Sequence, residues 1–108
     1  MARVVAVVPD LMFASRVQAT LGAAGHEVEL ASSPQADLGA ADLVIVDLGE
    51  IEPGSIADSG APVLGFYSHV DVETRERAEA AGVDLVVPRS RMAREMPALI
   101  ESLLTRSG

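Results

Sequence analysis

The groups with chemistry to offer stand where short apolar runs stop. Asp10 follows VVAVVP, Asp47 follows LVIV, Ser68 and His69 follow VLGFY, and Arg89 and Ser90 follow VDLVVP. An acid directly after a run such as Leu43-Val44-Ile45-Val46 has no local structural duty, so Asp47 is a candidate pocket carboxylate. Asp10 has two readings, a pocket acid or the N-cap of the helix that follows it. His69 and Asp71 suggest a metal or an acid–base pair, but a loop histidine before a helix-capping aspartate reads better as structural. Ser68, His69 and Asp71 are too close in sequence to face one another as a triad, and no nucleophile-elbow glycines surround Ser68. Gly22 and Gly25 follow a helix rather than joining a strand to one, so they are no dinucleotide fingerprint. Arg89, Ser90, Arg91 and Arg94 form the one basic cluster, either a capped helix start with solvated arginines or a surface for an acidic partner or a second copy.

Composition narrows the field. The 108 residues carry eight Lys+Arg against sixteen Asp+Glu, a formal charge of -8, so a phosphate backbone or an anionic membrane surface is repelled. All eight cations are arginine, which excludes Schiff-base chemistry. No cysteine is present, so there is no disulfide, thiolate metal site or thiol nucleophile. The longest early apolar run, Val4-Val5-Ala6-Val7-Val8, is too short for a signal peptide or a membrane span. The expectation is one domain over residues 1–108, in the cytoplasm.

The elements that position these groups alternate. Residues 3–8, 42–48, 62–67 and 83–87 are β-branched apolar runs of the kind buried on both sheet faces, and residues 26–31 alternate as a wetter strand. Behind Asp10, the positions Ala14, Val17, Leu21 and Ala24 repeat at helical spacing, with Gly22 and Gly25 at the exit. Ser33-Pro34 opens a short helix, and a second short helix fits residues 51–59. Asp71 caps VETRERAEAAG, where Glu73–Arg77 and Arg75–Glu79 are i,i+4 pairs. Residues 97–104 form an amphipathic helix with Leu99, Ile100, Leu103 and Leu104 inward. Five strand–helix units predict an α/β fold: a doubly wound parallel sheet, flavodoxin-like order 2-1-3-4-5, helices on both faces. In such sheets the site lies at the carboxyl ends of the strands.

At this point the chain resembles a response-regulator receiver (CheY-like) domain, over nearly its whole length. The resemblance is carried by VVPDLMFASRV, DLVIVDL, PVLGFYSH and AEAAGVDLVVPRS, in family order and spacing. It implies a signalling module in which an aspartate accepts a phosphoryl group, two acids help to hold Mg²⁺, and a hydroxyl and a lysine contact the acyl phosphate. Asp47 falls on the phospho-acceptor and Asp10 on the second acid. Pro9 falls on the first acid, Tyr67 on the switch hydroxyl with Ser68 beside it, and Arg89 within one residue of the lysine. With Ser90 in place of the following proline, these departures imply a degenerate receiver, or pseudo-receiver. The expectation is that Arg89 enters the pocket and pairs with both Asp10 and Asp47, as a fixed counter-charge.

The function expected is a stand-alone signal-transduction module, not an enzyme, acting through a kinase, an effector or its own second copy. The resemblance places that contact on the helix 4–strand 5–helix 5 face, with Arg75, Arg77, Arg91 and Arg94. No cofactor is expected, or Mg²⁺ bound weakly. The alternatives are a working receiver phosphorylated on Asp47 with Mg²⁺ held by Asp10 and Asp47, and a small enzyme or cofactor carrier on the same fold. The loop Pro9-Asp10-Leu11-Met12 lacks the hydroxyls that a flavin phosphate would need.

Overall fold

Three runs rich in branched residues become the buried central strands of a parallel sheet because each can hide both faces, and two wetter strands flank them. The computed structural model describes residues 2–31, 41–52, 54, 60–68 and 72–107. Its elements are β1 (Arg3–Val7), α1 (Leu11–Ala23), β2 (Glu27–Ala31), β3 (Leu43–Asp47), β4 (Val63–Tyr67), α2 (Val72–Ala81), β5 (Leu85–Pro88) and α3 (Arg89–Ser107). The strands form one sheet in the order β2-β1-β3-β4-β5, every neighbouring pair parallel. This is the expected flavodoxin-like order. The helices expected after Ser33-Pro34 and over residues 51–59 fall wholly or largely outside the described residues, as do His69 and the Asp71 cap.

The sheet separates two apolar layers. On one face Ala6, Ile45, Leu64, Phe66 and Val87 pack against Phe13, Ala14, Val17 and Leu21 of α1 and against Met92, Met96, Ile100 and Leu103 of α3. On the other, Val5, Val7, Val44, Val46 and Val63 pack with Leu48, Tyr67, Val83 and Ala78 of α2. Ala78 is the one buried residue of α2, so that helix covers the sheet through a small contact and leaves its charges in water. Burying these branched side chains, at roughly 1.5–3 kcal/mol each, is the main force holding the layers together.

Two aspartates bridge the starts of two of the four strand pairs. The Asp42 carboxylate accepts the Arg3 N–H at 2.8 Å, while the Asp42 N–H donates to the Arg3 carbonyl at 2.8 Å. Asp84 does the same for Val63, at 2.7 and 3.0 Å. Each stands immediately before a strand, in the repeated tripeptide Asp-Leu-Val, and staples it to its neighbour. Gly25 and Gly82 adopt φ of 93° and 99° just past α1 and α2, where a left-handed residue closes the helix end.

Several local expectations are revised. Ala24 is the exposed C-cap of α1, and Phe13 takes the inward place instead. Arg77 reaches Glu52 at 2.7 and 2.9 Å rather than pairing with Glu73, whereas Arg75–Glu79 forms as expected at 3.6 Å. Ser90 is not an N-cap, because α3 begins at Arg89 directly after Pro88. The helix expected from residue 97 is the second half of α3, beyond a kink at Glu95 (φ -120°, ψ 17°). Pro97 has no N–H and crowds the carbonyl four residues back, which accounts for the break. Leu99, Ile100 and Leu103 are buried and Leu104 half-buried. His26 precedes the edge strand: its Nδ1 accepts the Ala2 N–H at 3.2 Å, leaving Nε2 to face Glu101 of α3 at 3.0 Å.

Gly65, in the middle of β4, lies under Leu48: a Cβ there would meet the Leu48 side chain at 2.7 Å. Gly65→Ala is expected to destabilise the fold by about 1–3 kcal/mol through overpacking. Gly22→Ala, in an open position of α1, is expected to stabilise it by about 0.4–1 kcal/mol. Urea unfolding of both variants checks the opposite signs.

Candidate functional site

Strand alternation decides which side chains meet at the carboxyl edge of the sheet. Ile45 faces the α1–α3 layer and Val46 the α2 layer, so Asp47 returns to the α1–α3 side. The same count puts Phe66 and Val87 on that side. Asp47 is paired in register with Phe66 on β4. Among the described residues it is the one buried charged side chain, 3% exposed. Its Oδ1 accepts the Gly49 N–H at 3.0 Å. A Cβ on Gly49 would lie 3.3 Å from that oxygen, so glycine leaves the carboxylate room. Burial pushes the Asp47 pKa up; the Gly49 N–H and the charge of Arg89 pull against it.

Asp10 caps α1, with Oδ1 accepting from the N–H groups of Met12 at 3.0 Å and Phe13 at 3.3 Å. Its Oδ2 accepts from Arg89 Nη2 at 2.5 Å. The Arg89 guanidinium also lies over the Phe13 ring, 4.4 Å from the centroid, and 5.9 Å from that of Phe66. The two rings pack at 4.9 Å. The guanidinium is thus held at one end by a carboxylate and on its face by an aromatic pair. The Arg89 hydrogen bond is the main reason the Asp10 pKa is lowered. One oxygen of Asp10 thus serves the cap and the other the ion pair with Arg89.

The pairing of Arg89 is half of that expected. It forms an ion pair with Asp10 and none with Asp47, which feels the guanidinium only through its longer-range charge. Tyr67 does not enter this site. One residue beyond Phe66, it turns to the opposite face and packs in the α2 layer, 8% exposed. Ser68 returns to the α1–α3 side and lines an open cleft with Asp10 and Arg89, so the hydroxyl near this site is serine.

Magnesium does not fit these residues as they stand. Mg²⁺ requires oxygen ligands in near-octahedral array. Both Asp10 oxygens are already engaged, and Pro9 supplies no carboxylate. Among the described residues no group of three or more acidic or histidine side chains could hold a metal ion. The four arginines of the expected partner face all have glutamate neighbours in this chain: Arg75 with Glu79, Arg77 with Glu52, and Arg91 and Arg94 with Glu95. Sequence reasoning missed the aromatic support. Phe13 stands three residues after a capping aspartate, at the spacing that places it over the strand ends, and that signal was available.

The architecture is that of known receiver domains. The chain is similar to a CheY-like response regulator receiver domain protein from Methanospirillum hungatei (TM-score 0.86, 17% identity, 98% of this chain and 95% of that one). It is also similar to a two-component response regulator from Clostridium difficile (TM-score 0.87, 13% identity, 100% and 99% of the two chains). A third is the non-phosphorylated HemR receiver domain from Leptospira biflexa (TM-score 0.80, 19% identity, 96% and 94%). No protein-family model matches the sequence, and no curated protein does. At these identities the likeness establishes the fold.

The two aspartates have opposite effects on stability. Folded Asp47 holds its proton more tightly than the unfolded chain does, so its ionisation subtracts stability as pH rises from about 3.9 through the raised value. Asp47→Asn, which keeps an acceptor for Gly49, is expected to raise the urea midpoint at neutral pH and to lose that gain in acid. Asp10, with its lowered pKa, adds stability above about 3.9 that is lost as pH falls through the lowered value. Asp10→Asn is still a competent cap and is expected to lower the midpoint at neutral pH. Urea unfolding across the acid range checks both, and shifts of the same sign at neutral pH would contradict these environments.

Proposed function

We propose that the chain is a receiver-like signalling module that acts through protein–protein contact, with its phosphoryl-accepting pocket held by an internal arginine. The observation that carries this reading is the position of Arg89 on Asp10. In a receiver the acid at this place would serve a metal; here a guanidinium takes its free oxygen. A planar cation that cannot lose its proton is a permanent counter-charge. Supported on Phe13 and bonded to Asp10, it is held in place by groups of the chain itself. Asp47 then serves as a buried acid whose ionisation is opposed by its surroundings.

The module is read as a non-enzyme of the cytoplasm in two-component-type signalling. Its partner is a kinase, an effector or a second copy of the chain, meeting the surface of α2, β5 and α3, which correspond to the family's fourth helix, fifth strand and fifth helix. Arg75, Arg77, Arg91 and Arg94 with their glutamates give that surface mixed charge, which suits self-complementary pairing. The net charge of -8 supports neither a nucleic acid nor an anionic membrane as partner.

The test is a backbone amide NMR titration with millimolar Mg²⁺, then beryllofluoride, a mimic of aspartyl phosphate. The expected outcome is a dispersed spectrum without saturable shifts at Asp10, Asp47 or Ser68. Arg89→Ala, which frees Asp10, is expected to gain a Mg²⁺ response. Saturable shifts around Asp47 in the unaltered protein would overturn the reading in favour of a working receiver phosphorylated on Asp47 with Mg²⁺.

A further inference from the structure

We propose that the cleft between α1 and α3 binds a small organic anion, a carboxylate or phosphate group on an apolar body, with Arg16 as its free counter-charge. The cleft has a volume of about 650 Å³ and lies between Met12, Phe13 and Arg16 on one side and Arg89 and Ser90 on the other, with Ser68 at its edge. That size is in the range of small-molecule sites. Asp47 does not line it, although Asp10, Ser68 and Arg89 do, so the cleft adjoins the candidate phospho-acceptor without including it.

Charge selects the ligand class. Two arginines and one aspartate line the cleft, leaving one positive charge in surplus on a chain whose net charge is -8. Arg89 is already committed to Asp10 and Phe13, but with one nitrogen and one face. Its other N–H groups keep their donor capacity in a fixed orientation, which lowers the ordering cost of binding. Arg16 has no charged partner among the described residues. It stands one helical turn after Met12, so the two share a face of α1. The hydroxyls of Ser68 and Ser90 add neutral donors.

An apolar body is called for as well as an anionic head. Met12 is 86% exposed, on the first turn of α1 beside the cleft. Its thioether is a flexible apolar wall that adapts to the shape of a ligand. Inorganic phosphate would satisfy Arg16 and leave this wall in water; a neutral aromatic would cover the wall and leave Arg16 unmatched.

The experiment is a backbone amide NMR titration of the full chain with phenyl phosphate, benzoate, inorganic phosphate and phenol. Saturable shifts at residues 12–16 and 90–93 are expected with phenyl phosphate or benzoate, the tighter of the two identifying the head group. Inorganic phosphate and phenol are expected to bind at least roughly tenfold more weakly, each lacking half of the recognition. Arg16→Glu is expected to weaken the preferred anion by roughly tenfold or more, and Ser90→Glu to do the same from the facing wall. Both positions are exposed, so an unchanged thermal midpoint shows that the fold is intact. Asp47→Asn, outside the cleft lining, is expected to change this binding far less than Arg16→Glu does. The proposal is overturned if neither organic anion saturates, if phenol binds as well, if Arg16→Glu has no effect in the folded protein, or if the shifts centre on Asp47.

Discussion

Two-sided burial of the central strands is the constraint from which the rest of the molecule follows. Val4–Val7 of β1, Leu43–Val46 of β3, and Val63, Leu64 and Phe66 of β4 have no exposed surface. A strand in that position needs a layer above and a layer below, and parallel neighbours with crossover helices supply both. Parallel strands also end together. The polar residues that each apolar run excludes are therefore delivered to one edge of the sheet, from parts of the chain as distant as Asp10 and Arg89, 79 positions apart.

Which of those residues then meet is a matter of parity. A strand turns its side chains alternately up and down, so a shift of one position exchanges the two layers. Asp47 and Phe66 share the α1–α3 side, while Tyr67 is committed to the α2 layer. Arg89, the first residue of α3, lies on the same side as Asp10 and Phe13. The resulting contact, with a carboxylate at its edge and a ring on its face, joins the start of α1 to the start of α3. In the proposed reading it does within the chain what a bound metal ion does in a phosphorylatable receiver, and it leaves Asp47 buried and poorly solvated. The same guanidinium also borders the cleft beside Arg16, as do Asp10 and Phe13, so the two features of this edge share residues.

Much of the fold could be read in the sequence because its signals are local and repeated. Runs such as LVIV and VVAVV mark buried strands, helix-period spacing and caps mark α1, and the strand–helix alternation leads to the order 2-1-3-4-5. The candidate acids were readable for the same reason, since an aspartate that ends an apolar run has no duty within it. The repeated Asp-Leu-Val at Asp42 and Asp84 was an overlooked local signal, two aspartates doing the same stapling work before two strands.

What the sequence alone determined is the layer structure and the set of polar residues at the strand ends, both properties of short segments. Tertiary structure decided the partners. Arg77 reaches Glu52 rather than a neighbour on its own helix, Arg89 pairs with Asp10 and not Asp47, and Ser68 rather than Tyr67 lies near them. The helical start of α3 at Arg89, in place of a cap at Ser90, was decided the same way. Each of these turns on the relative placement of segments far apart in the chain. A difference of one residue in parity or a few ångströms in reach changes the contact, while periodicity and composition stay the same.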